Sequence, residues 1–455
     1  MRKKWKKTAF EVSAIFLIVF SLFLITYQND FITGQDALTY HLPVARYIAE
    51  HDRIPDYVPY DLYYHGNTKP PLLYIATYPF FKIFGINEAV AEIIPFLFLT
   101  LWLVFLWFWT KKEGGKFEIF LFILLLSYFT VNLMTWYYQA CAVVFFSTVA
   151  FYFWKKYAEN QEWKNLTFFT VFSGLAALSK ITGAGLFAIS ALYLLFHLVR
   201  KRDTKPIVFS LPISLTVFFW YFLRNIKPPP LQIAAEHAVK GFIGHGYIWL
   251  FHLEIVLSIA IFLAFFKQIE KSEHEIFVFY LPLLLYLIYV SIDPRYPAFL
   301  SGFAIFFSAK YLSRIEFNPL ASKVVLFGTL LIFLLNGIHA WANPQVKELA
   351  EIHSMKKACH YLRNELGIKE ANVIGDADFG IGWWCRYNFT TMRDYFTRKP
   401  FEKFDFVVDS WWNFSASLVQ NYSEYEDIER IKKRCSLNLI WDDGENRIWK
   451  VVKCG

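Results

Sequence analysis

Three places in this 455-residue chain combine residue types that can do chemistry. Asp36 stands in "GQDALTYHLPVARYIAEHDRIP" (34–55), a polar stretch directly after the first long apolar run. The spacing of Leu38, Leu42, Ala45 and Ile48 predicts a helix there, so Asp36 either caps it or is a functional carboxylate. Lys69 precedes Pro70 and Pro71, which fix an extended backbone and remove two donors. Its ammonium is thereby held stiffly at the membrane interface, to pair with a lipid phosphate or to snorkel. A third stretch, "RNIKPPPLQIAAEHAVKGFIGHGYIWLFH", carries Glu236, His237 and His245.

The elements that must position these groups are apolar. The chain is 56% hydrophobic and 20% aromatic with 18% charged residues, too oily for a soluble protein of this length. About eleven runs of roughly 16 to 20 residues read as membrane spans. They cover 8–27, 89–109, 117–134, 138–154, 165–179, 183–199, 206–223, 248–266, 276–291, 296–312 and 323–341. Basic clusters in "MRKKWKK", "KKEGGK", "WKKYAENQEWK", "RKRDTK", "KQIEKSEHE" and "AKYLSR" fall on one side if every run crosses once, and the excess of Lys and Arg marks that side as cytoplasmic. The first run is long and no small-residue cleavage pattern follows, so it reads as a retained helix rather than a signal peptide. The net charge of +8 is largely accounted for by these loops. No nucleic-acid motif, Walker loop or glycine-rich dinucleotide fingerprint is present, which argues against nucleic-acid binding and a nucleotide-driven pump.

This arrangement predicts an α-helical polytopic membrane protein, with a transmembrane domain over 1–341 and an extracytoplasmic α/β domain over 342–455. Two outer loops, 28–88 and 224–247, are long enough to be functional. The segments after Gly34 and after Pro71 have the spacing of amphipathic helices on the outer membrane surface. In the tail, 344–367 has helical periodicity, and short apolar runs in "ANVIGDADFG", "FDFVVDSW", "LNLIWDD" and "NRIWKVVK" read as strands. Asp376 and Asp378 at a strand end read as loop-solvating groups rather than metal ligands. Cys359, Cys385, Cys435 and Cys454 all lie in the tail and can form two disulfides with three possible pairings, whereas Cys141 lies in a span.

Four stretches together resemble the GT-C type glycosyltransferases that use polyprenyl-phosphate sugars, the group of the protein O-mannosyltransferases and the lipid A aminoarabinose transferases. They are "GQDALTYHLPVARYI" (34–48), "NTKPPLLYI" (67–75), "GLAALSKITG" (174–183) and "DPRYPAFLSGFAIFF" (293–307). The resemblance implies inverting transfer of a sugar from a polyprenyl-phosphate donor to an acceptor on the outer face of the cell membrane. It implies Asp36 as the catalytic acid residue, acting as general base or positioning the acceptor, Lys69, Arg295 and Lys180 as ligands of the donor phosphate, and Tyr40, His41, His237 and His245 in the acceptor or substrate loops. Some relatives bind a divalent metal through an acid and a histidine, a role open to Glu236 with His237 or His245. The alternative is interfacial histidines bonded to water or backbone.

Two positions depart from the family's pattern. Thr68 stands where many relatives have an acid before Lys-Pro-Pro, and Gln139 stands where many have one opening the fourth span. A second carboxylate would then come from Asp52, Asp56, Asp61, Glu88 or Glu92. Two other classes stay open: a lipid-carrier transporter or flippase, and a non-catalytic relative that only binds the carrier. The concentration of ionisable groups outside the spans and the lack of an internal repeat argue against transport.

Overall fold

The structure, a computed structural model, describes residues 2–28, 37–62, 66–224, 252–290, 295–316, 319–342, 347–375, 380–391, 404–410, 430–444 and 446–454. The chain divides into two compact units. The first comprises 1–27, 68–76 and 92–342; the second comprises 28–67, 77–91 and 343–455.

The first unit is helical. Its helices are α1 (Arg2–Gln28), most of α4 (Glu88–Lys112), α5 (Phe117–Leu126), α6 (Tyr128–Leu133), α7 (Gln139–Asn160), α8 (Trp163–Ser179), α9 (Gly183–Lys201), α10 (Lys205–Leu223), α11 (Leu253–Ala264), α12 (Lys271–Val290), α13 (Ser301–Leu312) and α14 (Pro319–Ala342). Among the described residues, four helices are long and apolar enough to cross a membrane, within 7–24, 88–112, 183–201 and 205–223. Shorter apolar helices accompany them.

Each apolar run of the sequence contains helix, but two are divided. The run 117–134 breaks at Ser127, where the backbone N–H is shared between the carbonyls of Ile123 and Leu124 and the hydroxyl donates to Ile123 O at 2.7 Å. A serine that satisfies itself on the preceding turn lets the chain change direction without proline. The run 296–312 opens with a 3₁₀ turn, Pro297–Leu300, before α13 begins.

Helix α8 packs against α7, α9 and α10, and α13 against α5, α7 and α11. Small residues permit the closest approaches: a Cβ on Gly302 of α13 would stand 1.8 Å from Thr148 Oγ1 on α7. One end of this bundle is tied by charge. Buried Lys155 of α7 bonds Glu113, Glu159 and Glu270, and buried Lys310 of α13 bonds Glu270 at 2.6 Å and Glu273 at 2.8 Å. Four of the basic clusters read from the sequence as one-sided thus meet in one network. Glu270 lies in the loop before α12; burial alone would raise its pKa, but the Lys310 and Lys155 hydrogen bonds outweigh that and hold it at about 2.

The second unit contains α2 (Leu42–His51), reached through the turn 37–41, the part of α3 (Leu72–Phe84) from residue 77, and the tail. In the tail, α15 (Lys347–His360) continues as a wide turn over 361–365 and ends at Gly367, whose φ of +66° suits a residue without Cβ. Five strands follow: β1 (Asn372–Gly375), β2 (Asn388–Thr391), β3 (Phe406–Ser410), β4 (Cys435–Asp442) and β5 (Asn446–Cys454). Their order is β2-β1-β3-β5-β4, with β1 parallel to both neighbours and β5 antiparallel to both of its own. Ile374, Val407, Phe404 and Ile431 form a core on this sheet. The loop after α2 extends the β2 edge, since Phe389 N–H bonds Tyr60 O at 2.7 Å and Leu62 N–H bonds Phe389 O at 3.1 Å. The four tail cysteines pair as Cys359–Cys385 and Cys435–Cys454, which resolves the three pairings open in the sequence.

Candidate functional site

Two of the three cations proposed for the donor phosphate meet in the first unit. Lys180 is the residue after α8, where the helix gives way to an extended backbone, and its N–H still bonds Ala176 O at 3.0 Å. The turn can close tightly because Gly183 follows: a Cβ there would lie 2.3 Å from the Ala176 carbonyl oxygen. Lys180 is 3% exposed, and its Nζ donates to the Arg295 carbonyl at 3.2 Å. The ammonium lies 4.9 Å from the Tyr138 ring and 4.7 Å from the Tyr296 ring, and the Arg295 guanidinium lies 5.0 Å from the Tyr138 ring. Two cations separated by 115 positions in sequence therefore share one aromatic wall. Cation–π contact offsets part of the cost of removing such charges from water.

Tyr138 leads into Gln139, the first residue of α7. The Gln139 side-chain amide is buried and donates to Pro70 O at 2.9 Å, which anchors the backbone immediately after Lys69. A carboxylate at position 139 would be acceptor-only when ionised and could not make this bond. Glutamine here is therefore suited to hold the Lys-Pro-Pro segment rather than to ligate a cation. Pro70 and Pro71 are buried while Lys69 itself is exposed.

Tyr40 and His41 belong to the second unit. Tyr40 donates to Asn67 Oδ1 at 2.8 Å, and Asn67 is buried, with its amide on Pro55 O at 3.2 Å. His41 is buried, with its ring 5.6 Å from that of Tyr40. Asp36, Glu236, His237, His245, Asp376 and Asp378 lie outside the described residues.

The other acids take distinct positions. Asp52 caps α2 and binds Lys82 at 2.8 Å and the Tyr78 hydroxyl at 2.6 Å; those hydrogen bonds, Lys82 first, pull its pKa below the usual carboxylate range. Asp56 and Asp61 line a cavity of about 410 Å³. Glu88 accepts from two indoles, Trp383 at 2.8 Å and Trp384 at 2.5 Å. Glu92 is buried within α4. Among the described residues, Glu113, Glu159 and Glu270 are close enough to share an ion, but the Lys155 ammonium already bonds all three.

One polar centre was missed from sequence. Glu254, fully buried at the start of α11, accepts hydrogen bonds from Ser301 at 2.6 Å and Thr130 at 3.1 Å and lies 3.2 Å from His252 Nδ1. An acid in the apolar run "FHLEIVLS" was the available signal, since a carboxylate in such a run needs partners.

Residues 68–222 match the family described as dolichyl-phosphate-mannose-protein mannosyltransferase. Among solved structures, the chain is similar to ArnT from Cupriavidus metallidurans bound to undecaprenyl phosphate. The identity is 11%, over 96% of this chain and 97% of that one, with a TM-score of 0.60. The fold is of the GT-C type. The same ArnT in the apo state gives a TM-score of 0.58 at 10% identity, again over 96% and 97% of the two chains. No curated protein sequence matches this chain. The resemblance drawn from four short stretches thus stands, and the matched segment contains Lys69, Gln139 and Lys180 of the GT-C fold described above. The protein is a multi-pass membrane protein.

Proposed function

We propose that this protein is a membrane glycosyltransferase that moves a sugar from a polyprenyl-phosphate donor to an acceptor on the extracytoplasmic face. The observation that carries the reading is the junction of buried Lys180 and half-buried Arg295 over Tyr138, cations of the kind a departing phosphate needs. Lys69, anchored through Pro70 and Gln139, is the third cation of this proposal. The match to a mannosyltransferase family and the fold shared with an ArnT bound to undecaprenyl phosphate support a lipid-phosphate donor.

In this reading about eleven helices cross the bilayer, the ion-paired end faces the cytoplasm, and 342–455 form an extracytoplasmic domain beyond the transmembrane domain of 1–341. The acceptor hydroxyl oxygen bonds to sugar C1 as the C1–O bond to phosphate breaks. The bonding pair leaves with the polyprenyl phosphate, and Asp36 takes the hydroxyl proton. Tyr40 and His41 flank the acceptor path. Glu236 with His237 or His245 is the proposed set for a divalent metal ion.

The test is transfer from a labelled polyprenyl-phosphate-sugar pool in membranes holding the wild type or Asp36→Asn at equal levels. Transfer lost in the variant with lipid-phosphate binding retained is the expected result. Equal transfer by both removes Asp36 from the chemistry, and no transfer by either returns the protein to the carrier-binding or transport classes.

A further inference from the structure

The second unit contains a cavity of about 510 Å³ whose lining has an unusual composition. Arg46, Lys356, Arg363 and Arg386 supply four cations, Trp383 and Trp384 supply two indoles, and Glu88 is its carboxylate. The site is rigidly built. Cys359 on α15 is bonded to Cys385 at the end of the turn 381–385, so one disulfide joins the helix carrying Lys356, which continues into the turn carrying Arg363, to the turn carrying both tryptophans. Arg363 adds a hydrogen bond to Cys385 O at 3.2 Å. Both indole N–H groups donate to Glu88, which fixes the rings and uses the acid as a positioning group.

The lining carries four cations and one carboxylate, and that carboxylate already accepts from both indoles. Arg46 is 7% exposed, lies 3.7 Å over the Trp383 ring and donates to the Trp383 carbonyl, yet among the described residues its Nε has no hydrogen-bond partner. Its pKa is lowered, first by burial and next by the Arg386 guanidinium, so two cations of this cavity repel one another. Glu50, 3.7 Å from Arg386, and the Tyr60 side chain offset part of this repulsion, but burial and the second guanidinium outweigh them at Arg46. Such an arrangement attracts an anion. Tryptophan adds a preference that simple anion sites lack: the half-buried Trp384 offers an apolar ring beside Lys356, 5.8 Å away, against which a sugar's C–H face can lie.

We propose that this cavity binds an anionic sugar, phosphorylated or carboxylated, and that it is where the acceptor glycan is held. The first half stands on the cavity alone; the second rests on the glycosyltransferase reading above. The acceptor class would then be an acidic surface glycan or glycolipid rather than a neutral one.

The experiment is calorimetric titration of the full-length protein, in nanodiscs of zwitterionic phosphatidylcholine, with glucose 6-phosphate. Glucose, inorganic phosphate and glycerol 1-phosphate, the last standing for a lipid headgroup, are the comparison ligands. Glucose 6-phosphate should bind saturably and more tightly than all three. Lys356→Gln with Arg386→Gln should weaken it by about tenfold or more, the scale of a lost charged hydrogen bond. The charge-matched pair Lys450→Gln with Lys453→Gln, on exposed positions of β5, should leave it unchanged. No saturable binding, unchanged binding in the cavity variant, or glucose binding equally well overturns the proposal. Glycerol 1-phosphate or inorganic phosphate binding as tightly also overturns it, in favour of a lipid or a simple anion site. Undecaprenyl phosphate binding on the same preparations reports the donor reading separately, because none of the substituted residues belongs to the Lys180 cluster. Its absence in the wild type would defeat that reading while leaving the sugar titration interpretable.

Discussion

Lys180→Met is the sharpest test of the phosphate site. Methionine keeps an unbranched apolar chain of similar reach, so the loss is confined to the ammonium and its bonds. Within the protein these include the 3.2 Å bond to the Arg295 carbonyl and the contacts of 4.9 and 4.7 Å to Tyr138 and Tyr296. Those terms affect the free and liganded protein alike and largely cancel in a binding ratio. What remains is one charged hydrogen bond to phosphate, worth about 1.5–3 kcal/mol. At about 1.4 kcal/mol per decade, the dissociation constant for undecaprenyl phosphate should rise roughly 10- to 150-fold. Burial of Lys180 to 3% exposure places the expectation in the upper half of that range, because solvent screens it little. The assay is displacement of a labelled polyprenyl phosphate from nanodiscs, with Lys205→Met at the far end of α10 as control. A rise below about threefold with the fold intact would show that Lys180 does not hold the phosphate, and that its burial beneath two tyrosines is purely structural.

Two further expectations concern stability. Glu270 has a folded pKa of about 2 against an ordinary 4.5, so its contribution is complete above about pH 4.5 and is lost as pH falls towards 2. The wild-type thermal midpoint should therefore drop more steeply than that of Glu270→Gln between about pH 5 and pH 3; parallel profiles would remove Glu270 from the acid response. Gly302→Ala places a methyl carbon 1.8 Å from Thr148 Oγ1 and should destabilise by about 1–3 kcal/mol, whereas Gly328→Ala on α14, with nothing within 4 Å, should be neutral or mildly stabilising. A thermal shift of the same sign and size in both would refute close packing of α7 on α13.

What could be read in advance follows the length scale of the signal. Apolar runs and the tail helix are properties of ten or more residues, and each has helix where expected. The strands β1, β3, β4 and β5 were legible as apolar runs, whereas β2, "NFTT", is four residues with one apolar side chain and is recruited by pairing with β1. The break at Ser127 was hidden because a serine in an apolar run signals neither turn nor helix. Lys180 and Arg295 were named through motifs, but their meeting over Tyr138 depends on tertiary packing of α7 and α8 with the segment before α13. Gln139 looked like a lost acid, and only its bond to Pro70 O shows the different work an amide does there. The tryptophan and arginine cavity was illegible for a related reason: its walls come from 46, 88, 356–363 and 383–386, joined by a disulfide whose partners spacing could not choose.

The ion-paired end of the bundle constrains how the protein can breathe. Separating α7 from α12 and α13 there would strand Lys155 and Lys310 away from their acids in a buried setting, at a cost of about 3–5 kcal/mol for each partner removed. Helix α8 rises from this end and, at 17 residues and about 1.5 Å each, delivers Lys180 roughly 25 Å away. The bundle is like a sheaf bound at its base, where the buried ion pairs hold α7, α12 and α13 in register.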